Sequence, residues 1–243
     1  MGQSALGSIV GKIAHWCPMS STVYMGQEIS QTRKSRSMTR SLSGVFPFRG
    51  QGVYYESGLE RDFIRIWSLS PEVVALVAQP VQVPFTAHNG RAYIHTPDFF
   101  VQFDDELNLK PLLVEVKPRE DWKENWRLWL PKWKAAWRFA RDQGWEFHIF
   151  DESRIRGTRL KNVEFLQRYR NMALDPKLTE VILGKLAMMR RAPFHALLAL
   201  HFHGHEAIGR SHLWHLIATG QVWTDLDQEL DEFSVMRCHD ERF

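Results

Sequence analysis

At 243 residues and 44% hydrophobic, the chain can bury a full core and leaves room for a second small domain. Two cysteines, Cys17 and Cys238, lie near opposite ends, which fits neither a disulfide framework nor a cysteine-based zinc site and points to a reducing cytosol. The apolar start "ALGSIVGKIAHW" is interrupted by Gly, Lys and His, so no membrane span is expected, and a formal net charge of +3 permits an anionic partner without requiring one.

Residues 1–50 lack sustained periodicity and read as a basic, irregular N-terminal arm. No acid occurs from Gln31 to Tyr55, while Arg33, Lys34, Arg36, Arg40 and Arg49 stand among serines, threonines and glycines. That composition suits a phosphate-binding arm or a linker. From "ESGLERDFIRIWSLSPEV" the pattern turns helical: Leu59, Phe63 and Ile66 make one apolar row, Glu60, Ile64 and Trp67 its neighbour, and Pro71 follows. "VVALVAQPVQVPF" reads as one or two strands broken at Gln79 and Pro80.

Alternation in "PDFFVQF" places Asp98, Phe100 and Gln102 on one face, and in "LLVEVK" it groups Leu113, Glu115 and Lys117. The polar turn between them predicts a hairpin, so Asp98, Glu115 and Lys117 can meet. In the following segment Trp122, Trp126, Trp129, Trp133 and Trp137 recur at helical spacing. This stripe is expected to pack on the sheet, leaving Lys123, Arg127, Lys132, Lys134, Arg138 and Arg141 as a cationic back, with Pro131 kinking or splitting the helix. Gly144 ends it before the strand "WEFHIF", and hairpin, helix and strand in that order predict an α/β core with a crossover. Beyond Arg154 the chain is mainly helical: "FHALLALHFH" and "EAIGRSHLWHLIATG" flank a turn at Gly204 and precede a short strand in "QVWTDL", an order that resembles a winged helix-turn-helix.

Two carboxylates at a strand edge can hold Mg²⁺, a small hard cation that takes oxygen ligands. A lysine two residues after the second acid projects from the same face, where its charge can orient a water or stabilise charge developing on phosphorus. An isolated E-x-K is more often a buried ion pair or a solvated sheet edge.

The ordered set changes that balance. "ESGLERDF", "QPV", "YIHTPDFFV" and "VEVKP" together resemble the PD-(D/E)xK nuclease superfamily and, within it, the N-terminal catalytic domain of the TnsA endonucleases of heteromeric, Tn7-like transposons. The resemblance implies a restriction-endonuclease-like mixed sheet flanked by helices over 51–155 and a winged-helix-like C-terminal domain over 156–243. It implies Glu60, Asp98, Glu115 and Lys117 as catalytic positions. The metal, Mg²⁺ with Mn²⁺ able to substitute, would be held by Asp98, Glu115, the carbonyl of Val116 and Glu60. Arg33, Lys34, Arg36, Arg40, Lys123 and Arg127 are candidates for DNA contact. Implied partners are double-stranded DNA at transposon ends, a DDE integrase and an AAA+ ATPase regulator, in the bacterial cytoplasm at the nucleoid. The implied reaction is hydrolysis of the non-transferred 5′ strand.

Other readings stay open: an autonomous restriction or repair nuclease, or a non-catalytic adaptor. Six histidines between His195 and His215 invite a zinc site, but their spacing and the lack of a nearby cysteine argue against one. Gln79 reads as a structural strand-end residue. The acidic "DLDQELDEF" argues against simple DNA docking by the C-terminal domain.

Overall fold

The computed structural model describes residues 21–32 and 42–238; Cys17, Arg33, Lys34, Arg36 and Arg40 lie outside them. Two hairpins come first: β1 (Ser21–Tyr24) pairs with β2 (Gln27–Ser30), and β3 (Gly44–Phe48) with β4 (Gln51–Tyr55). These correct the expectation of an irregular arm. Each turn has two central residues at positive φ, Met25 and Gly26 at 48° and 80°, Arg49 and Gly50 at 47° and 81°. Such turns match the twist of the paired strands, and glycine at the second position makes them accessible.

Helix α1 (Gly58–Trp67) starts at Ser57, whose Oγ accepts from the Glu60 amide at 3.1 Å. Glu60 reaches back, its Oε2 accepting from the Glu56 amide at 2.8 Å, a reciprocal cap that satisfies two N-terminal donors. Both apolar rows go inward: Leu59, Phe63, Ile64 and Ile66 are buried.

Strands β5 (Val73–Ala78), β8 (Phe99–Phe103), β9 (Leu112–Val116) and β10 (Glu146–Phe150) form the central sheet in the order β10-β9-β8-β5. β8 is antiparallel to both β5 and β9, as the predicted hairpin requires, whereas β10 runs parallel to β9. Helix α2 (Arg119–Asp142) makes the crossover between that parallel pair. One sheet face presents Phe99, Val101, Val114 and Val116 to Phe63 and its neighbours on α1. The other presents Phe100 and Leu113 to Ala136 and Ala140 of α2 and to Trp145. Covering both faces in this way explains why every residue of β8 is buried. β5 ends before Gln79 and Pro80, as expected, and the separate hairpin of β6 (Val83–Thr86) and β7 (Ala92–His95) packs beside α2.

Helix α2 differs from its prediction twice. It runs unbroken through Pro131. And of the tryptophans only Trp133 is buried, while Trp126 and Trp137 are 43% and 50% exposed. The buried row is instead Ala136 and Ala140, where small side chains let the helix approach the sheet; Lys132, one turn before Ala136, shares that row rather than the outer face.

After the short α3 (Glu152–Ile155), α4 (Thr158–Gln167) leads into α5 (Pro176–Met189), β11 (Arg191–Pro193), α6 (Phe194–His201), α7 (Glu206–Ala218), β12 (Val222–Trp223) and β13 (Val235–Cys238). The strands form a small sheet in the order β11-β13-β12. A second core gathers here around Phe194, Leu197, Leu213 and Ile217, with Phe194 stacked on Trp214 at 4.2 Å. The histidines have separate partners: His212 pairs with Thr179 at 2.9 Å, His215 with the Tyr169 carbonyl at 2.7 Å and His195 with the Glu232 carbonyl at 2.9 Å. Among the described residues no helix is long and apolar enough to cross a membrane.

Candidate active site

The hairpin of β8 and β9 brings its acids together at the end where the strands open. Asp98, just ahead of β8, accepts from the Val116 amide through Oδ2 at 2.7 Å, which fixes its carboxylate across the strand pair. Lys117 Nζ lies 3.2 Å from the same oxygen, 3.4 Å from Glu115 Oε1 and 3.0 Å from the Val116 carbonyl. One ammonium thus converges on three oxygens: two carboxylates and the carbonyl that sequence reading singled out as metal ligands.

Glu115 is 1% exposed and Asp98 17%, while Lys117 is 25% exposed. The cluster is therefore rooted in the core at Glu115 and open to solvent at Asp98 and Lys117, where a substrate can reach it.

Two further residues, which the sequence reading does not assign to the site, meet Glu115. Lys132 Nζ on α2 lies 2.9 Å from Glu115 Oε1, and His95 Nε2 at the end of β7 lies 3.2 Å from Oε2. The His95 contact is close but misaligned, so Glu115 Oε2 and His95 Nε2 are both buried without a hydrogen bond. Lys132 was placed on the outward cationic face by the tryptophan periodicity; its i, i+4 relation to Ala136 and Ala140 is the signal that would have turned it inward. For His95 the available signal is its place in "YIHTPD", three residues before Asp98.

The charge states follow from these contacts. Burial pushes the Glu115 carboxyl up, but Lys117, then His95 and Lys132, outweigh it and hold the group well below the usual carboxylate range. Burial raises Asp98, with Glu115 adding to the rise and Lys117 opposing it. Burial opposes the Lys117 charge, yet Asp98, Glu115 and Glu60 raise its pKa above the usual lysine value. Glu60 is pushed to about 7 by burial and then by Asp98. It therefore belongs electrostatically to the cluster while its oxygens serve the cap of α1.

Other expected site residues stand apart. Lys123 and Arg127 are exposed on α2, with Arg127 over the Trp126 ring at 5.3 Å. Gln79 is buried at φ 49°, and its amide donates to the Asp98 carbonyl at 2.7 Å. That bond supports the backbone directly behind Asp98, consistent with the structural reading.

A mixed sheet covered on both faces thus carries two acids and a lysine together at its open end. Residues 70–152 match the family model described as TnsA-like endonuclease N terminal, which supports reading this part of the chain as a TnsA-like endonuclease domain. The match includes Asp98, Glu115, Lys117, Lys132 and His95 and leaves Glu60 outside. No curated protein matches the chain.

The donors also fit a hard divalent cation. Among the described residues no group of three His, Cys, Asp or Glu side chains is arranged to hold a metal. The carboxylates of Asp98 and Glu115 and the carbonyl of Val116 are oxygen donors of the kind taken by a cation that keeps several waters.

Proposed function

We propose that the chain is the Mg²⁺-dependent endonuclease subunit of a Tn7-like transposase, hydrolysing the non-transferred 5′ strand at transposon ends, with Mn²⁺ able to substitute. The observation that carries this reading is the convergence of Asp98, Glu115 and the Val116 carbonyl on one cationic point within the matched domain. Asp98, Glu115 and the Val116 carbonyl would hold the cation, with Glu60 ionising to join them when a positive charge enters. Bound there, Mg²⁺ would lower the pKa of a water so that it loses its proton readily for attack on phosphorus. Lys117, next to both carboxylates and 25% exposed, would stabilise charge developing on the phosphate oxygens.

The exposed basic residues of α2, Lys123, Arg127, Lys134 and Arg138, flank this edge in sequence and supply a track for the duplex backbone. Arg33, Lys34, Arg36 and Arg40 would add to it from the N-terminal side. Helix α5, strand β11, helices α6 and α7 and the β12–β13 pair follow the order of a winged-helix unit, and the acidic loop at 225–232 favours a protein partner, the AAA+ regulator, over DNA for that unit. A DDE integrase would cut the other strand.

Duplex transposon ends incubated with integrase, ATPase and Mg²⁺ test the reading. A 5′-strand cut that requires both this chain and the metal is expected. A cut made by this chain alone on any duplex would instead favour an autonomous nuclease, and identical products from wild type and Asp98→Asn would favour an adaptor.

A further inference from the structure

We propose that Lys132 is a positioning residue that competes with the divalent cation for Glu115 and so makes metal loading depend on DNA. This rests on the metal-site reading of Asp98 and Glu115 given above. Lys132 reaches Glu115 Oε1 at 2.9 Å, closer than Lys117 does at 3.4 Å, and its side chain is only 18% exposed. Its position is enforced from both sides. The backbone of α2 places it on the row of Ala136 and Ala140 against the sheet, and its ammonium lies 4.9 Å and 5.8 Å from the ring centroids of Trp129 and Trp133. Those two rings meet edge to face at 5.6 Å and wall the lysine in.

The consequence is a charge count at one carboxylate. Two ammonium groups already neutralise Glu115 and Asp98. A dication binding the same oxygens leaves an excess of positive charge in a partly desolvated pocket, and each nearby ammonium then weakens its binding. Lys117 sits at the solvent edge and can turn outward. Lys132, packed against the rings of Trp129 and Trp133, is the more enclosed of the two. An incoming phosphodiester supplies the compensating negative charge, so the metal and the DNA backbone strengthen each other's binding, and by linkage the effect is reciprocal.

Mn²⁺ titration of the full chain, read as free Mn²⁺ by paramagnetic resonance, tests this with no reliance on cleavage. Lys132→Gln is expected to bind Mn²⁺ about tenfold tighter than wild type in the absence of DNA, because one repelling charge is gone. Lys132→Arg keeps the charge and is expected to stay near wild type. A duplex transposon end is expected to tighten Mn²⁺ binding to wild type and to have much less effect on Lys132→Gln. Unchanged or weaker binding by Lys132→Gln overturns the proposal while leaving the metal site standing. If instead wild type and Asp98→Asn bind Mn²⁺ equally, the metal-site reading fails and the proposal with it. Should Lys132→Gln fold poorly, judged by its thermal transition, Lys132→Met gives the same comparison with an apolar side chain that the tryptophan walls accept.

Discussion

His88 Nε2 lies 2.9 Å from the main-chain carbonyl of Arg127, the acceptor that Pro131, four residues later and lacking an N–H, cannot serve. An orphaned helical carbonyl is thereby satisfied from the neighbouring β6–β7 hairpin, which explains how α2 runs unbroken through a proline. His88→Ala is expected to cost about 1 kcal/mol of stability in denaturant unfolding, the ordinary net worth of such a bond. In a Pro131→Ala background, where residue 131 regains its N–H, the same change should cost clearly less. Equal costs in both backgrounds would mean that the histidine does not compensate for the proline.

Glu60 carries the pH dependence. Its carboxyl is raised from 4.5 to about 7 in the folded chain, so the native state holds a proton that the unfolded state has released across that interval. Stability from this group is fully present below pH 4.5 and is lost as pH rises through 7. Glu60→Gln retains an acceptor for the cap and removes the charge. In chelator it should match wild type at acid pH and exceed it by about 2 kcal/mol above neutrality, a difference followed by thermal melts across the range. Added Mg²⁺ should shrink that advantage by compensating the ionised form.

Gly209 sets two ordinary effects against each other. Alanine in the middle of a helix normally stabilises by about 1 kcal/mol over glycine. Here an added Cβ would overlap the Phe202 ring and the Leu198 side chain, where α7 crosses α6. The clash should win, and Gly209→Ala is expected to destabilise by about 1–3 kcal/mol, measured by the thermal midpoint.

Asp62 is 5% exposed and is met by Arg156 Nε at 3.1 Å, Arg61 at 3.1 Å and Arg65 at 3.7 Å. It ties α1 to the segment after α3. Asp62→Ala should cost about 2 kcal/mol, less than a fully buried pair would, because the arginines reach solvent once released. DNA cleavage by the folded fraction should be unchanged, since Asp62 makes no contact with the Asp98 cluster.

The strand pair and its charges were legible because period-two alternation and a short polar turn are local signals: they placed Asp98, Glu115 and Lys117 together correctly. Lys132 and His95 were not, since each reaches Glu115 from a different element and no local pattern encodes that approach. The tryptophan stripe misled because aromatic identity was weighed above size; the alanines, able to approach the sheet closely, define the buried row. The early hairpins were missed because their turns begin with Met25 and Arg49 instead of Asn or Asp, although Gly26 and Gly50 were visible. Glu60 is singled out by the family resemblance alone, while the local Ser57-x-x-Glu60 signature is that of the cap that positions it.

Strand-resolved mapping of cuts at transposon ends, comparing wild type with Asp98→Asn in a reaction with integrase, ATPase and Mg²⁺, tests the central claim most directly. The substitution preserves size and removes one of the two charges on which Lys117 converges. Loss of the 5′-strand cut alone, with joining by the integrase intact, is the predicted result. Identical products from both proteins would show that Asp98 holds no catalytic metal and that the cluster is only an ion-pair network.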